Sequence, residues 1–392
     1  MKKTLLLQTA LVAAAGLMLA DVANAQTKEV PLAATVGGYF TQFIKGQDAG
    51  KAQDANADSN RGTGLGSDAE IWFNIRGVLD NGTVVGGRVE LEAATYGDQI
   101  DERYLFVEKA DVGRIEIGST DRVTGKMLYF APNALPGHAT TVNSEYTAAY
   151  HTPLMWFANA NHDAEGINLY TASNRYFGSK AGKGLQLGFS YVPDGCEDYS
   201  ATAGARCGNG FGSKSNTGQM SDQYSVAANF LESFGSVDAA LYAGYNSVKN
   251  EGVSARRGRE AGWQLGAQLS YNVGDGSAIQ FGGGYSNEDV GRAAVTGQGN
   301  IDDRDAYSVG LKYLTNGAAA GSIGIGVEFY NREDKLIGGG KNELDYYTLG
   351  LTYQVATGVL AFAGIGVSDY DANTNTSDND QTFGVVGLGI NF

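Results

Sequence analysis

Three histidines lie close together in a stretch that also carries hydroxyl and amide side chains. His138, His151 and His162 follow one another, and Asn143 and Ser144 fall between the first two. A serine with a positioned histidine and an amide or carboxylate partner is the set required for hydrolysis by a serine nucleophile. Histidines in loops are far more often plain polar residues than catalytic ones, and the separations between these histidines match no metal-ligand spacing. We therefore predict neither an enzyme nor a metal cofactor at these residues.

Charged side chains in the first third of the chain alternate with apolar ones. Arg76, Arg88 and Arg114 each stand beside an aliphatic residue, and Glu116 stands between two isoleucines. Successive side chains of a β-strand point to opposite faces, so this order gives one charged face and one apolar face. A strand with lipid on one side and water on the other needs that division. We therefore expect these four residues to line an aqueous space.

The same alternation continues along most of the chain. Segments of about ten residues alternate in hydrophobicity and are separated by turns, which is the pattern of spanning strands in membrane barrels. In the last segment Val386, Leu388, Ile390 and Phe392 share one face. Counting the segments predicts about sixteen strands, an even number typical of a single-chain barrel. Beyond residue 25 no stretch reaches the ~18 consecutive apolar residues of a helical span.

Short and long connections alternate between the predicted strands. Tight turns are predicted at Asp80-Asn81-Gly82, at residues 110–113 and at Gly274-Asp275-Gly276. Long polar connections are predicted at residues 46–67, 195–221, 249–260, 288–305 and 369–380. Outer-membrane barrels have short turns at one end and long loops at the other. The alternation therefore favours a membrane barrel over a soluble β-sandwich.

Aromatic residues near the strand ends are expected to form belts at the two membrane interfaces. They are Trp72, Trp263, Tyr271, Tyr313, Phe329, Tyr330 and Tyr353. Backbone groups in lipid must be hydrogen-bonded, and strands achieve this only in a closed sheet. At about sixteen strands the interior is too wide for side chains to fill and holds water. The sequence thus predicts an all-β transmembrane antiparallel barrel around a channel.

One long connection breaks the strand pattern. After the fifth strand the chain runs from Ser119 to about Glu165 with little alternation. A connection of this length is usually functional, and folded into the lumen it would narrow the channel. Asp121 or Glu145 would then oppose the arginine-bearing wall and set a transverse field that selects solutes by size and charge. The alternative is that Asp121, Glu145 and Lys126 are solvated loop charges, and the apolar residues 127–130 are expected to pack the loop against the wall.

The N-terminal residues have the three parts of a secretory signal peptide. Lys2 and Lys3 precede an apolar run, and Ala23-Asn24-Ala25 forms a small-residue cleavage site. This combination predicts removal of residues 1–25 and export from the cytoplasm. Residues 26–392 are then expected to form one barrel domain.

The charge and cysteine content limit the partners further. The formal net charge of −15 disfavours nucleic acid as a partner. It favours cations near the molecule, either permeating ions or divalent ions bound at acidic outer loops beside lipid headgroups. Cys196 and Cys207 lie close together in a polar, glycine-rich stretch. In an exported protein a disulfide is the default, worth about 3 kcal/mol for a short loop, and a two-cysteine metal site is the alternative.

Three stretches resemble the Gram-negative general diffusion porins, in particular those of alphaproteobacteria. They are ERYLFVEKADVGRIEIGSTDR at residues 102–122, GLQLGFSYVPDG at residues 184–195 and GLGINF ending at Phe392. A terminal Phe on an amphipathic strand resembles the signal read by the outer-membrane assembly machinery. The likeness extends over nearly the whole chain after the signal peptide.

The resemblance implies a sixteen-stranded homotrimer in the outer membrane of a Gram-negative bacterium, with the long third outer loop folded inward. Lipid and lipopolysaccharide would surround it, and small polar solutes and ions would cross by passive diffusion. It also implies that Arg76, Arg88 and Arg114 match the basic wall of the family. The constriction loop departs from the family in having few carboxylates before Asp163 and Glu165. A substrate-specific outer-membrane channel is the alternative function, and a soluble secreted β-protein is a third.

Overall fold

A computed structural model of the chain describes residues 32–49, 62–93, 100–136, 155, 157, 164–194, 220–250, 258–290, 301–316, 319–373 and 379–392. Within them sixteen strands form one closed barrel, in which each strand pairs antiparallel with the next and β16 pairs with β1. The predicted all-β barrel and its strand number are confirmed.

The strands are β1 Ala33–Ala49, β2 Thr63–Val78, β3 Val84–Glu92, β4 Ile100–Lys109, β5 Gly113–Ser119, β6 Glu165–Thr171, β7 Gly184–Asp194, β8 Met220–Phe234, β9 Val237–Asn250, β10 Gly258–Gly274, β11 Ser277–Asp289, β12 Ile301–Leu314, β13 Ile323–Leu336, β14 Lys341–Ala356, β15 Val359–Asp371 and β16 Asn379–Asn391. A single-turn helix, α1 Val123–Lys126, follows β5. Among the described residues no helix is long and apolar enough to cross a membrane.

The alternation of the sequence decides which side chains face outward. On β14 the side chains of Tyr347, Leu349 and Leu351 are exposed on the outside, whereas Thr348 and Thr352 are buried on the inside. The last strand follows the same rule, with Val386 and the other predicted apolar-face residues exposed. An apolar outer face opposite a polar inner face is what lipid outside and water inside require.

Two of the predicted interface aromatics lie on the inner face. Trp72 pairs with Glu90 across the sheet and donates a hydrogen bond to Glu70 at 2.8 Å, and Tyr330 is fully buried. Both stand at positions of their strands whose side chains point inward, directly next to residues whose side chains point outward. The prediction was wrong for these two, because aromatic type alone does not give the face. Trp263, Tyr271, Tyr313 and Tyr353 are exposed on the outside as predicted.

The connections predicted as short or long have those lengths, but the alternation does not hold throughout, because residues 315–322 on the short-turn side form a longer connection than residues 337–340 on the long-loop side. At the β10–β11 turn Asp275 and Gly276 both have positive φ, which suits the tight hairpin whose twist matches the strands. The long-loop ends of the strands extend further than predicted, since β1 continues to Ala49 and β2 already begins at Thr63. Charged residues outside the apolar band still pair across strands, as Lys335 does with Asp305 at 2.9 Å. Polarity alone therefore ended the predicted strands too early.

The last described residue closes the seam of the barrel. The backbone N–H of Phe392 donates to Gly38 and the Gly38 N–H donates to Phe392, both at 3.0 Å. Several predicted features lie outside the described residues: the signal peptide, Glu145, the pair Cys196 and Cys207, and the three histidines.

Candidate functional site

The described start of the third long connection lies against the inner face of the barrel. We call residues 120–136 the inner segment. Its backbone is held by wall side chains on three strands. Ser190 accepts from the Val123 N–H at 2.9 Å, and Tyr242 donates to the Thr124 carbonyl at 2.8 Å. Asn229 donates to the carbonyl of Met127 at 3.0 Å. The segment is thus fixed to β7, β8 and β9 before it continues around the wall.

A belt of glycines on the inner wall receives the inner segment. An added Cβ at Gly266 would collide with the Tyr129 carbonyl and the Phe130 ring, and one at Gly350 would collide with Ala134. The belt runs from β7 to β15 and consists of Gly188, Gly244, Gly266, Gly284, Gly310, Gly326, Gly350 and Gly364. Glycine in a strand interior often marks such a close approach of another backbone. The belt therefore forms a groove in the shape of the segment.

The apolar residues of the inner segment fill this groove. Met127, Phe130 and Leu135 are between 1% and 3% exposed and belong to the main hydrophobic cluster of the molecule. The Phe130 ring packs edge-on against Tyr242 with ring centroids 5.7 Å apart. The prediction that residues 127–130 pack the loop against the wall is confirmed.

An ion-pair network holds the beginning of the inner segment. Glu116 is 3% exposed and accepts hydrogen bonds from Arg114 at 2.8 Å, Lys126 at 3.3 Å, Asn168 at 3.1 Å and Tyr170 at 3.2 Å. A carboxylate this buried needs several charged or polar donors to remain ionised. Glu116 therefore organises the loop base on the wall that bears Arg114.

A second carboxylate, Glu102, completes the network. It accepts from the Thr120 hydroxyl at 2.6 Å and from the Asp121 N–H at 2.8 Å, and it lies 3.6 Å from the Lys126 ammonium. Burial opposes the charged form of Lys126, but Glu116 and Glu102 outweigh burial and raise the pKa of Lys126 above its ordinary value. Lys126 is consequently a permanent cation between two carboxylates rather than a solvated loop charge.

The structure brings some predicted wall residues together and separates others. Arg114 and Glu116 are in contact, and Asn168 links Glu116 to the Asp121 carbonyl at 2.8 Å. Arg88 pairs with Glu90 and lies over the Trp72 ring at 4.4 Å.

Arg76 stands apart from this group. It is exposed, near the short-turn end of β2 and away from the inner segment. Arg76 pairs in register with Gly86 of β3, a position without a side chain to contact it.

Carboxylates outnumber arginines on the inner face of β2 to β5. Arg76, Arg88 and Arg114 share this face with Asp68, Glu70, Glu90, Glu92, Glu102, Glu108 and Glu116. Glu108 lies 3.1 Å from Arg114, so that arginine has two carboxylate neighbours. The wall is therefore mixed in charge rather than uniformly basic.

The sequence reasoning missed Glu102, Asn168 and Tyr170 as partners of the loop base. Glu102 and Glu108 are six residues apart on β4, an even separation that places both side chains on one face, and this alternation was a usable signal. Asn168 and Tyr170 pair in register with Glu116 and Arg114, which a single sequence does not reveal.

Two groups of three carboxylates have oxygens within 4.8 Å of one another. They are Glu70, Glu92 and Asp101, and Asp289, Asp302 and Asp303. In the first group Glu70 already accepts hydrogen bonds from Tyr39 at 3.0 Å and Trp72 at 2.8 Å. Acidic groups near strand ends are common without an ion, so divalent cations at the outer loops stay a prediction.

Solved structures of other proteins share the fold of this chain. OmpT of Vibrio cholerae in its trimer form matches with a TM-score of 0.57 and 14% identity over 92% of this chain and 100% of that one. The anion-selective porin from Comamonas acidovorans matches with a TM-score of 0.56 and 14% identity over the same shares. A triple mutant of the Rh. blastica porin matches with a TM-score of 0.53 and 16% identity, again covering 92% and 100%. At these identities the likeness shows the fold alone.

Sequence comparison gives the family. No curated protein matches the sequence. The model of the Gram-negative porin family matches residues 9–373, which is nearly the whole chain. The closed sixteen-stranded barrel, the apolar outer face and the polar inner face agree with that match. This chain therefore belongs to the Gram-negative porins, the β-barrel proteins that form diffusion channels in the outer membrane.

Proposed function

We propose that the protein is a general channel for passive diffusion of small hydrophilic solutes and ions, and that it prefers cations. The observation that carries the cation preference is the charge of the inner face of β2 to β5, where seven carboxylates share the wall with three arginines. An excess of fixed charge of one sign along a water-filled path raises the local concentration of counter-ions. Cations are the counter-ions of this wall.

The arginines add little positive potential of their own. Arg88 is paired with Glu90, and Arg114 lies 2.8 Å from Glu116 and 3.1 Å from Glu108. The electrostatic potential of each pair is small a few ångströms away from it, because the two opposite charges cancel at longer range. The Comamonas acidovorans porin is described as anion-selective, and we propose the opposite preference for this chain.

The inner segment supports selection by size. Residues 123–135 occupy the inner wall from β7 to β15 and so take up part of the cross-section. A narrowed, charged passage discriminates by solute radius and by charge.

We propose a homotrimer as the functional unit, in line with the trimer form described for OmpT of Vibrio cholerae, with lipid and lipopolysaccharide against the apolar outer face.

Reversal potentials in planar bilayers test the proposed function. With a tenfold KCl gradient we expect ohmic single-channel conductance and a reversal potential on the cation-selective side. The double variant Glu70→Gln and Glu92→Gln should lower the preference, because both carboxylates lie on the inner face. Asp275→Asn in the exposed β10–β11 turn is the matched control and should leave it unchanged. An anion-selective wild type contradicts the proposal, and flux that saturates with one solute class favours a substrate-specific channel instead.

A further inference from the structure

A cavity of about 570 Å³ lies between the inner segment and the short-turn ends of β12 to β15. Its loop side is formed by Asn133, Leu135 and Pro136, and Lys312 and Gln354 are among the residues of its wall side. The size is within the range of pockets that hold small organic molecules. The cavity is separate from the ion-pair network at the loop base, which lies on β4 to β6.

Lys312 gives this cavity one positive charge. Its side chain lies over Gly324, where an added Cβ would be 3.5 Å from the Lys312 Cε. Lys312 pairs in register with Gly326 of β13, and Glu328, two residues beyond Gly326, is the carboxylate that acts on it electrostatically, but among the described residues the two form no contact ion pair. Arg88 and Arg114, by contrast, each contact a carboxylate. Lys312 is half-buried, and no carboxylate of the described wall contacts its ammonium group. An anion that enters the cavity would therefore take the place of water beside this ammonium group.

The rest of the lining indicates what kind of anion fits. Pro136, Leu314 and Leu360 are half-buried and provide apolar surface on one part of the cavity. The Thr352 hydroxyl is a further polar group of the lining, whereas the amide N–H groups of Gln354 already donate to the carbonyls of Ala356 and Val359. One cation, a hydroxyl and apolar walls form the usual composition of a pocket for a small amphipathic ligand.

We propose that this cavity is a solute subsite for small organic carboxylates with an apolar part, with Lys312 binding the carboxylate. The proposal rests on the proposed channel function and adds a preferred solute class at one place in the lumen. The apolar part of the solute packs on Pro136 and Leu360. Because the cavity lies on the short-turn side of the inner segment, the solute reaches it from the periplasmic end.

Benzoate is the probe for this subsite. Benzoate added on the short-turn side of a bilayer should reduce the KCl current in a saturable way. Acetate, which lacks the apolar part, and benzyl alcohol, which lacks the charge, should act far more weakly. Lys312→Gln should weaken the apparent affinity for benzoate by about tenfold or more, the effect of losing a hydrogen bond to a charged group. Lys312→Arg should retain most of the affinity.

Arg76→Gln is the matched control. Arg76 is an exposed cation at the same end of the barrel, on β2, and it does not line the cavity. Equal weakening by Lys312→Gln and Arg76→Gln, or no effect of Lys312→Gln, overturns the subsite. Heat-modifiable migration in gels shows that each variant is folded.

A second measurement separates the two proposals. Line broadening of benzoate resonances by the detergent-solubilised protein reports binding without conduction. Lys312-dependent broadening without KCl conductance overturns the channel and leaves the subsite standing. KCl conductance without Lys312-dependent broadening overturns the subsite and leaves the channel standing.

Discussion

At the scale of single residues, the loop base depends on one cation shared by two carboxylates. Lys126 lies 3.3 Å from Glu116 and 3.6 Å from Glu102, and the side chain of Glu116 is 4% exposed. Removing one partner of a buried pair leaves the other charge without compensation, which costs more than the pair itself contributes. Lys126 therefore holds the beginning of the inner segment on the wall.

Lys126→Met should destabilise the barrel by about 3 kcal/mol, the cost of breaking a buried ion pair. The readout is the temperature of the heat-modifiable gel shift. The raised pKa of Lys126 keeps the charge of the wild type at alkaline pH, so the difference between wild type and variant should persist to about pH 10 and close above it. Lys180→Met, on the short-turn side and exposed, is the control. An equal midpoint for Lys126→Met and wild type would contradict the assigned role.

At the scale of elements, the barrel wall and the inner segment are complementary in shape. The wall presents glycine on every strand that the segment crosses except β8, from Gly188 on β7 to Gly364 on β15. Each missing side chain lets the segment approach the sheet backbone. The groove therefore specifies the path of the segment, and Phe130 and Leu135 fix its position along that path.

Gly266→Ala should displace the inner segment, because the new Cβ would overlap the Tyr129 carbonyl and the Phe130 ring. We expect single-channel currents with a broader distribution of conductance levels and a higher mean. Gly64→Ala is the control, since Gly64 is on the inner face of β2 and the nearest atoms, on Lys45, are 3.7 Å from an added Cβ. Identical current distributions for Gly266→Ala and Gly64→Ala would show that the groove does not control the passage.

At the scale of the whole molecule, the protein is strongly acidic, and carboxylates also outnumber arginines on the inner face of β2 to β5. The net charge is −15. The effect of such charge on permeation is electrostatic and long in range, so it depends on the ionic strength of the solution.

The proposed cation preference should therefore fall as salt rises. The Debye length shortens from about 10 Å at 0.1 M to about 3 Å at 1 M, so the wall carboxylates act on a smaller part of the lumen at high salt. Permeability ratios from reversal potentials at several KCl concentrations with a fixed gradient measure this. A ratio that stays constant over this range would assign selectivity to short-range contacts instead.

The barrel was predictable from the sequence because its strands repeat one simple rule. The alternation around Tyr347 and Val386 places apolar side chains outward without any knowledge of neighbouring strands. The faces of Trp72 and Tyr330 were not predictable from residue type, since a shift of one residue moves a side chain to the other face.

The candidate site was harder to predict because its contacts are distant in sequence. Glu116 and Asn168 are 52 residues apart, and their contact follows from the pairing of β5 with β6. The arginines were identifiable as inward-facing from the alternation. Their neutralisation by Glu90, Glu108 and Glu116 depends on register and rotamer, which the pattern does not contain.

The glycine groove also has a consequence for the order of folding. The inner segment follows β5, but the strands that hold it come later in the chain: Met127 contacts Asn229 across 102 positions and Thr124 contacts Tyr242 across 118. Contacts of such high sequence separation form late, because the intervening chain must be ordered first. The apolar residues of the segment thus have no groove to enter until most strands have assembled. Seating of the segment is then one of the last steps in folding, after the sheet has curved around the space that the segment fills.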